Sequence, residues 1–251
     1  MKKHKIRKIL LVILAILLCV AFYELLGICI AYKKQPEVSN TTKKETKNGS
    51  WNECSENTER AVIIEKNPEA LLQRVRLIKN AKKEIILSTF AFQSDESGKL
   101  ILGALHDAAD RGVHIRLLVD GMESWIDMEG NPYFYGLSSH ENVEIKLYNK
   151  ANPLKPWKMM GRMHDKYLIA DGKRYILGGR NTYNYFLGDF PGHKNYDRDV
   201  LVVCDEPEKE NSVNQLLEYF ETIWEQEDSD YFHDNKKLAN RKSVKNAVLE
   251  L

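Results

Sequence analysis

The sequence has 251 residues, which is enough for one globular domain with an anchor and too few for two large domains. Its formal net charge is +1, which argues against the overall basic field of a typical nucleic-acid-binding protein. Hydrophobic residues make up 43% of the chain, an ordinary proportion for a globular protein.

The N-terminus carries the clearest break in composition. Residues 1–8 are basic, and residues 9–32 are apolar apart from the single charge of Glu24. At ~1.5 Å per residue, a helix of this length crosses a hydrocarbon core of ~30 Å. We therefore predict a single-pass membrane anchor, with a cleaved signal peptide as the alternative. The basic flank favours a cytoplasmic N-terminus and an extracytoplasmic domain at the cell membrane.

Residues 33–57 are polar and predict a flexible linker between the anchor and the domain. Two of the four cysteines, Cys54 and Cys204, lie outside the apolar run. They would pair in an oxidising compartment, but Cys204 is also explained as a small buried apolar residue. The sequence leaves both interpretations open.

Strands and helices alternate between residues 58 and 225. Apolar, β-branched runs predict strands at 61–65, 84–92, 113–121, 142–149, 162–171, 173–179 and 198–203. Helical spacing of apolar residues predicts helices at 67–81, 98–112 and 211–226. This alternation predicts an α/β layered fold, a mixed and mostly parallel sheet flanked by helices. Residues 226–251 are highly charged and are interpreted as a tail or as a linker to a second half.

The stretch GRMHDKYLIAD, residues 161–171, places polar side chains in a sequence that otherwise predicts a strand. Alternate residues of a strand face the same side, so His164 and Lys166 project together. Asp171 begins the turn into the next predicted strand. The residues expected at the end of that next strand, near the same sheet edge, are Gly178, Gly179 and Asn181.

This combination of groups suits a phosphate. A lysine supplies a point charge, an amide and bare glycine N–H groups supply directional donors, and a neutral imidazole attacks phosphorus or transfers a proton. No chelating carboxylate cluster accompanies these residues in the sequence, so we expect neither a metal nor another cofactor. A histidine in a strand is also often a core residue, and the residues alone leave both interpretations open.

The pattern H-x-K-x4-D-x6-G-G-x-N, from His164 to Asn181, resembles the signature of the phospholipase D superfamily, H-x-K-x4-D-x6-G-[S/G]-x-N. Gly179 stands where many members have serine, which removes one hydroxyl donor to the phosphate. Over about residues 58–225, the chain resembles the first half of bacterial cardiolipin synthase-like proteins. The resemblance implies a phospholipase D-like layered fold with one HKD motif.

The resemblance also implies roles for the motif residues. His164 would attack phosphorus and form a phosphohistidine. Lys166 and Asn181, with the backbone at Gly178 and Gly179, would bind the phosphate oxygens. Asp171 completes the catalytic motif, in a role that is more structural or electrostatic than direct.

A downstream carboxylate usually orients the histidine ring in such proteins, as in other nucleophilic sites. Asp197 is the candidate and Asp199 the reserve. They are two residues apart at the start of a predicted strand, so both face the same way. Each is otherwise explained as a solvated strand end.

The implied mechanism needs two histidines, and this sequence contains one full motif. HIRLLVD, residues 114–120, echoes the motif superficially but has arginine in place of lysine and its aspartate one residue early. Two explanations remain. Either two chains form a homodimer and contribute one motif each, or the chain is the first half of a two-motif protein.

The resemblance implies a phospholipid substrate such as phosphatidylglycerol, hydrolysed or transferred at the membrane. LKPWKMMG, residues 154–161, is interpreted either as a lipid-interface segment or as a packed loop. A homodimeric, metal-independent nuclease is the first alternative, and the near-neutral charge argues against it. An inactive or regulatory half-protein is the second.

Overall fold

The computed structural model describes residues 2–33, 39–40, 43–44, 59–206, 211–233 and 236–251. Most of the predicted linker, including Cys54, lies outside the described residues, so the pairing of Cys54 with Cys204 is not addressed. The chain divides into two compact units. The first comprises Met1–Glu56 and Ala151–Gly161, and the second comprises Asn57–Lys150 and Arg162–Leu251.

The first unit contains one long helix, α1 (Lys2–Lys33). Within the described residues it is the one helix that is long and apolar enough to cross a membrane, a test that a signal sequence also passes. The same unit contains the segment 151–161, which includes a short 3-10 helix at Pro156–Lys158.

The second unit is built on a mixed sheet of eight described strands, in the order β1-β7-β6-β5-β2-β3-β4-β8. The strands are β1 (Glu59–Ile64), β2 (Glu84–Thr89), β3 (His114–Asp120), β4 (Val143–Tyr148), β5 (Lys166–Ala170), β6 (Arg174–Gly178), β7 (Asp199–Cys204) and β8 (Ser229–Tyr231). The helices of this unit are α2 (Asn67–Asn80), α3 (Glu96–Asp110), α4 (Gly121–Asp127), α5 (Pro132–Ser138), α6 (Ser212–Trp224), α7 (Lys236–Ala239) and α8 (Lys242–Glu250).

The mixed sheet flanked by helices confirms the predicted fold class, but the expectation that most strand pairs are parallel was wrong. Among the described strands only β2–β3 and β3–β4 pair in parallel, and the other neighbours are antiparallel. The connections explain the difference. Helices join β2, β3 and β4, whereas the tight turn after Ala170 joins β5 to β6 as a hairpin, which requires antiparallel pairing.

The sheet separates two apolar layers. On one face, α2, α3, α5 and α8 cover a large core that includes Phe92, Ile101 and Phe134. On the other face, α6 covers a smaller core with Phe220 and Trp224. Both faces of the central strands are therefore buried, which explains why their sequences are nearly continuous apolar runs.

Residues 226–251 were predicted to form a charged tail or a linker, and the structure packs most of the described part onto the second unit. β8 pairs antiparallel with β4, and Val244 and Ala247 of α8 are buried. Glu250 forms an ion pair with Lys99 of α3. Charged residues hid this packing in the sequence because they occupy the exposed face of a short amphipathic helix.

A buried ion cluster fixes the ends of β6 and β7. Asp199, the first residue of β7, accepts from Arg74 of α2 at 2.8 Å and forms an ion pair with Arg180 at 3.2 Å. The Asp199 and Arg180 side chains are 0% exposed. Arg180 also donates to the backbone carbonyls of Ile64 and Glu65. The cluster ties the segment after β6 to the connection between β1 and α2.

We predict that Arg180→Ala lowers the free energy of unfolding by about 3–5 kcal/mol, because it removes half of the charge compensation of a buried carboxylate. Urea denaturation in detergent, followed by circular dichroism, measures the change. Arg198→Ala is the matched control, since Arg198 pairs with Glu65 at a site where its side chain is 74% exposed. That pair should contribute less than about 1 kcal/mol. Equal losses in the two variants would contradict the proposed importance of the buried cluster.

Candidate active site

The predicted histidine and lysine lie where two antiparallel strands meet. Lys166 is the first residue of β5 and pairs with Thr89, the last residue of β2. His164 precedes β5 by two residues and is exposed, whereas Lys166 is buried. The strand pairing therefore places the motif beside the segment that leaves β2.

The ring of Phe90, the first residue after β2, contacts both of these side chains. Its centroid lies 4.5 Å from that of the His164 ring, in an edge-on arrangement. The Lys166 ammonium lies 5.2 Å from the Phe90 centroid and the Arg162 guanidinium lies 5.0 Å from it. Such distances allow cation–π attraction, so one aromatic ring organises the imidazole and two cations.

The surroundings of His164 favour the neutral form of its imidazole. Partial burial and then the charge of Lys166 lower its pKa, while Asp120 and Asp165 act in the opposite direction. Among the described residues, none forms a hydrogen bond with the ring. A neutral imidazole with a free lone pair is the nucleophilic form.

Lys166 is held by the chain next to it. Its ammonium donates to the backbone carbonyl of His164 at 2.8 Å. Burial lowers the pKa of Lys166, and the negative charges of Asp165 and Asp197 oppose the shift. The side chain is thus a desolvated cation fixed beside the imidazole, where it interacts more strongly with an anion than it would in water.

Asn181 is brought to the same place by a second contact with the segment after β2. Its side-chain oxygen accepts from the backbone N–H of Ala91 at 3.3 Å. Thr182 is bonded through its N–H to Ala91 and through its carbonyl to Gln93. In the described residues the NH2 group of Asn181 makes no hydrogen bond, so it remains a donor for a bound group.

The glycine pair accommodates two carboxylates. A Cβ atom on Gly178 would lie 1.9 Å from an Asp199 oxygen, and one on Gly179 would lie 1.9 Å from an Asp197 oxygen. The sequence indicated that backbone here comes close to something, and the structure shows that the close groups include these two carboxylates. In this chain, the serine of many superfamily members would occupy the space of the Asp197 carboxylate.

The two candidate carboxylates for orienting His164 have different environments. Asp199 is held in the buried ion cluster by Arg74 and Arg180, which explains its position without His164. Asp197 is partly exposed, accepts from the Arg198 N–H at 2.7 Å and acts electrostatically on Lys166. The structure shows no hydrogen bond from either to His164, so the orienting role of Asp197 stays a prediction.

Asp171 is not brought to the other motif residues. It follows the last residue of β5, so it lies at the opposite end of that strand from His164. Its carboxylate accepts backbone N–H groups from Lys82, Lys83 and Glu84. The third motif residue therefore ties the β5–β6 turn to the start of β2, a structural role.

Two polar residues near His164 were missed in the sequence. Asp120 ends β3, is buried, and accepts from the Arg162 guanidinium at 2.9 Å and from the Met163 N–H at 3.1 Å. Arg162 also pairs with Glu123. An aspartate at the end of the apolar run HIRLLVD was the available signal, but nothing in the sequence indicated which strand lay beside it.

Comparison with known families agrees with the motif and the fold. The family described as "Cardiolipin synthase, PLD-like domain" matches residues 74–224. The chain belongs to the phospholipase D superfamily. The match contains the whole motif from His164 to Asn181, together with Asp197 and Asp199.

Relatives of this phospholipase D superfamily member include cardiolipin synthase C of Escherichia coli (strain K12). The two are 29% identical over 171 residues, which make up 62% of this chain and 34% of that relative. The chain spans about a third of the length of the first curated relatives that it matches.

Two solved structures share the phospholipase D fold of the chain. The phospholipase D family member Nuc from Salmonella typhimurium gives a TM-score of 0.52 at 18% identity, over 70% of this chain and 99% of Nuc. The phosphatidylserine synthase of Haemophilus influenzae Rd KW20 gives a TM-score of 0.58 at 18% identity, over 84% of this chain and 46% of that protein. The same fold thus corresponds to nearly all of one chain and about half of another.

We predict that Phe90→Ala raises the pKa of His164 toward its ordinary value. The ring helps to exclude water from the imidazole, and better hydration favours the charged form. A pH titration of the His164 ring proton signals by NMR measures the shift. Phe92→Leu is the control, because Phe92 packs against Phe134 in the core and not against His164. An unchanged titration in Phe90→Ala would refute the role of Phe90.

We also predict that Gly179 and Asp197 are energetically coupled. Gly179→Ser should force the Asp197 carboxylate to move and should destabilise the fold, whereas in Asp197→Ala the same serine should be tolerated. A double-mutant cycle from urea denaturation should give a coupling energy of about 0.5–3 kcal/mol, the range for residues in contact. Additive effects of the two substitutions would contradict the steric explanation.

Proposed function

We propose that this chain supplies one half of the active site of a membrane-anchored phosphodiesterase or phosphatidyltransferase acting on phospholipids. One observation carries the proposal. His164, Lys166 and Asn181 all contact the segment that follows β2, through the Phe90 ring and the Ala91 N–H. A nucleophile, a cation and an amide donor therefore converge at one place, as handling of a phosphodiester requires.

The reaction proceeds in two displacements. A ring nitrogen of His164 forms a bond to phosphorus as the bond from phosphorus to the leaving alcohol oxygen breaks, and a general acid gives that oxygen a proton. That acid, now deprotonated, acts as the general base of the second step. It takes a proton from water or a second alcohol, whose oxygen bonds to phosphorus as the bond from phosphorus to His164 breaks. Lys166 and the Asn181 amide bind the non-bridging oxygens, whose negative charge they stabilise.

The general acid and base comes from a second motif. The sequence contains one complete motif, and a second histidine is supplied either by another copy of the chain or by a second half in a longer protein. The shared fold covers 99% of Nuc, which fits one copy of the fold in each chain. It covers 46% of the phosphatidylserine synthase, which leaves room for a second copy in the same chain. Both arrangements are therefore supported. The chain covers about a third of the length of the first curated relatives, which favours a second half in a longer protein.

A phospholipid substrate is supported by two further observations. The relatives include cardiolipin synthase C, and the chain begins with a helix long and apolar enough to cross a bilayer. We assign α1 as a single-pass anchor, with the basic N-terminus on the cytoplasmic side. A cleaved signal peptide is the alternative, and mass spectrometry of the mature protein distinguishes the two.

We predict that His164→Ala abolishes formation of cardiolipin or phosphatidic acid from phosphatidylglycerol vesicles, because it removes the nucleophile. The loss should persist when divalent metal ions are added, and activity of the unaltered chain should survive a chelator. Thin-layer chromatography of the labelled lipid measures the products. His114→Ala is the matched control, because His114 lies at the opposite end of β3 from Asp120 and should leave turnover unchanged.

Sizing in detergent decides where the second motif comes from. Product formation by a dimeric chain supports the composite homodimer. A monomer without activity, which becomes active on co-expression with a two-motif relative, supports the half-protein. Metal-independent cleavage of DNA without any lipid product would replace the phospholipid proposal with the nuclease alternative. Measurable activity that is equal in His164→Ala and in the unaltered chain would refute both enzymes.

A further inference from the structure

The segment 151–161 exposes an unusual set of apolar side chains. Leu154 is 79% exposed, Met160 49% and Trp157 45%. The short helix Pro156–Lys158 fixes their spacing, and Pro156 itself is buried. Exposed apolar residues that are clustered in one short segment mark an interaction surface more often than scattered ones do.

This segment is seated on α1, within the first unit. The Tyr23 hydroxyl donates to the Leu154 carbonyl at 2.9 Å. A Cβ atom on Gly27 would lie 2.5 Å from the Pro156 Cγ atom, so a glycine is needed where the segment crosses the helix. Tyr23 and Gly27 are one turn apart and face the same side, and the segment therefore covers one specific stripe of α1.

The height of this contact along α1 corresponds to a membrane boundary. Counting ~20 residues for a ~30 Å hydrocarbon core from Ile9, the first residue of the apolar run, the core ends near residue 28. Tyr23 and Gly27 thus lie in the last turns before that boundary. Tyrosine and tryptophan are enriched at this depth, because their rings are apolar and their polar atoms reach water.

We propose that the segment 151–161 is an interfacial membrane element that inserts Leu154, Trp157 and Met160 into the bilayer that α1 crosses. This rests on the proposed role of α1 as an anchor. Lipid is the partner that we assign to the segment. It packs on α1 at the membrane boundary, so its exposed apolar side chains lie at the depth of the bilayer surface. The exposed Lys155, between Leu154 and Pro156, suits anionic headgroups.

The proposed membrane contact lies close to the proposed catalytic motif in the sequence. The segment ends three residues before His164 in the sequence, so the part of the chain that enters the membrane surface leads directly into the catalytic motif.

Site-directed spin labelling of the full chain in vesicles of phosphatidylglycerol and phosphatidylcholine tests this. The four native cysteines are replaced by alanine, and single labels are placed by Leu154→Cys, Leu249→Cys and Leu14→Cys. Leu249 is the matched control, because it is a leucine that is 86% exposed in the second unit. Leu14 reports whether α1 itself crosses the bilayer. Collision with oxygen indicates lipid, and collision with a water-soluble nickel complex indicates water.

We expect the label at position 154 to collide severalfold less with the nickel complex than the label at 249, and more with oxygen. If position 14 lies in lipid while 154 and 249 are equally accessible to nickel, the interfacial element is refuted and the anchor stands. If position 14 is in water, both proposals fail.

A second pair of variants tests the seat on α1. Gly27→Leu should displace Pro156 and raise the nickel collision rate of the label at 154. Leu25→Phe adds bulk to a different side of α1, at a residue that is 60% exposed, and should leave the rate unchanged. An unchanged rate in Gly27→Leu would overturn the packing of this segment on α1.

Discussion

A carboxylate shared by two guanidinium groups in the interior holds together the part of the sheet that carries the candidate active site. Asp199 would be too costly to bury alone, and Arg74 and Arg180 make its burial possible. Because Arg180 lies between the glycine pair and Asn181, fixing its side chain also fixes the backbone on both sides. The cluster therefore transmits the position of α2 and of the β1–α2 connection to the residues that would bind a phosphate.

The second organising element is aromatic. The Phe90 ring contacts the imidazole and lies near two cations, and the adjacent Ala91 N–H donates to Asn181. His164 and Lys166 meet this short segment because β2 pairs with β5, and Asn181, which follows β6, meets it through the Ala91 N–H. Asp171 serves the same arrangement from the far end of β5, where it captures three backbone N–H groups at the start of β2. The third residue of the motif thus supports the pairing that brings the others together.

The architecture is compatible with the proposal that one chain supplies half of an active site. In the described residues, the sheet, its two helical layers and the ion cluster bury both apolar cores with one motif present. A fold of this kind corresponds to 99% of Nuc and to 46% of a phosphatidylserine synthase. The C-terminal helix α8, which covers part of the larger core, belongs to the same self-contained unit.

The sequence predicted the layered fold class and the apolar helix from periodicity and composition, and the spacing of the motif residues indicated the superfamily through a resemblance. It did not determine the strand directions, which follow from how hairpins and crossovers share one sheet. It did not identify Phe90, Asp120 or Arg162, since their neighbours become adjacent only through strand pairing. The different environments of Asp197 and Asp199 also became visible only in the folded structure. Two aspartates two residues apart look equivalent in a strand, and only the buried guanidinium groups around one of them make that one structural.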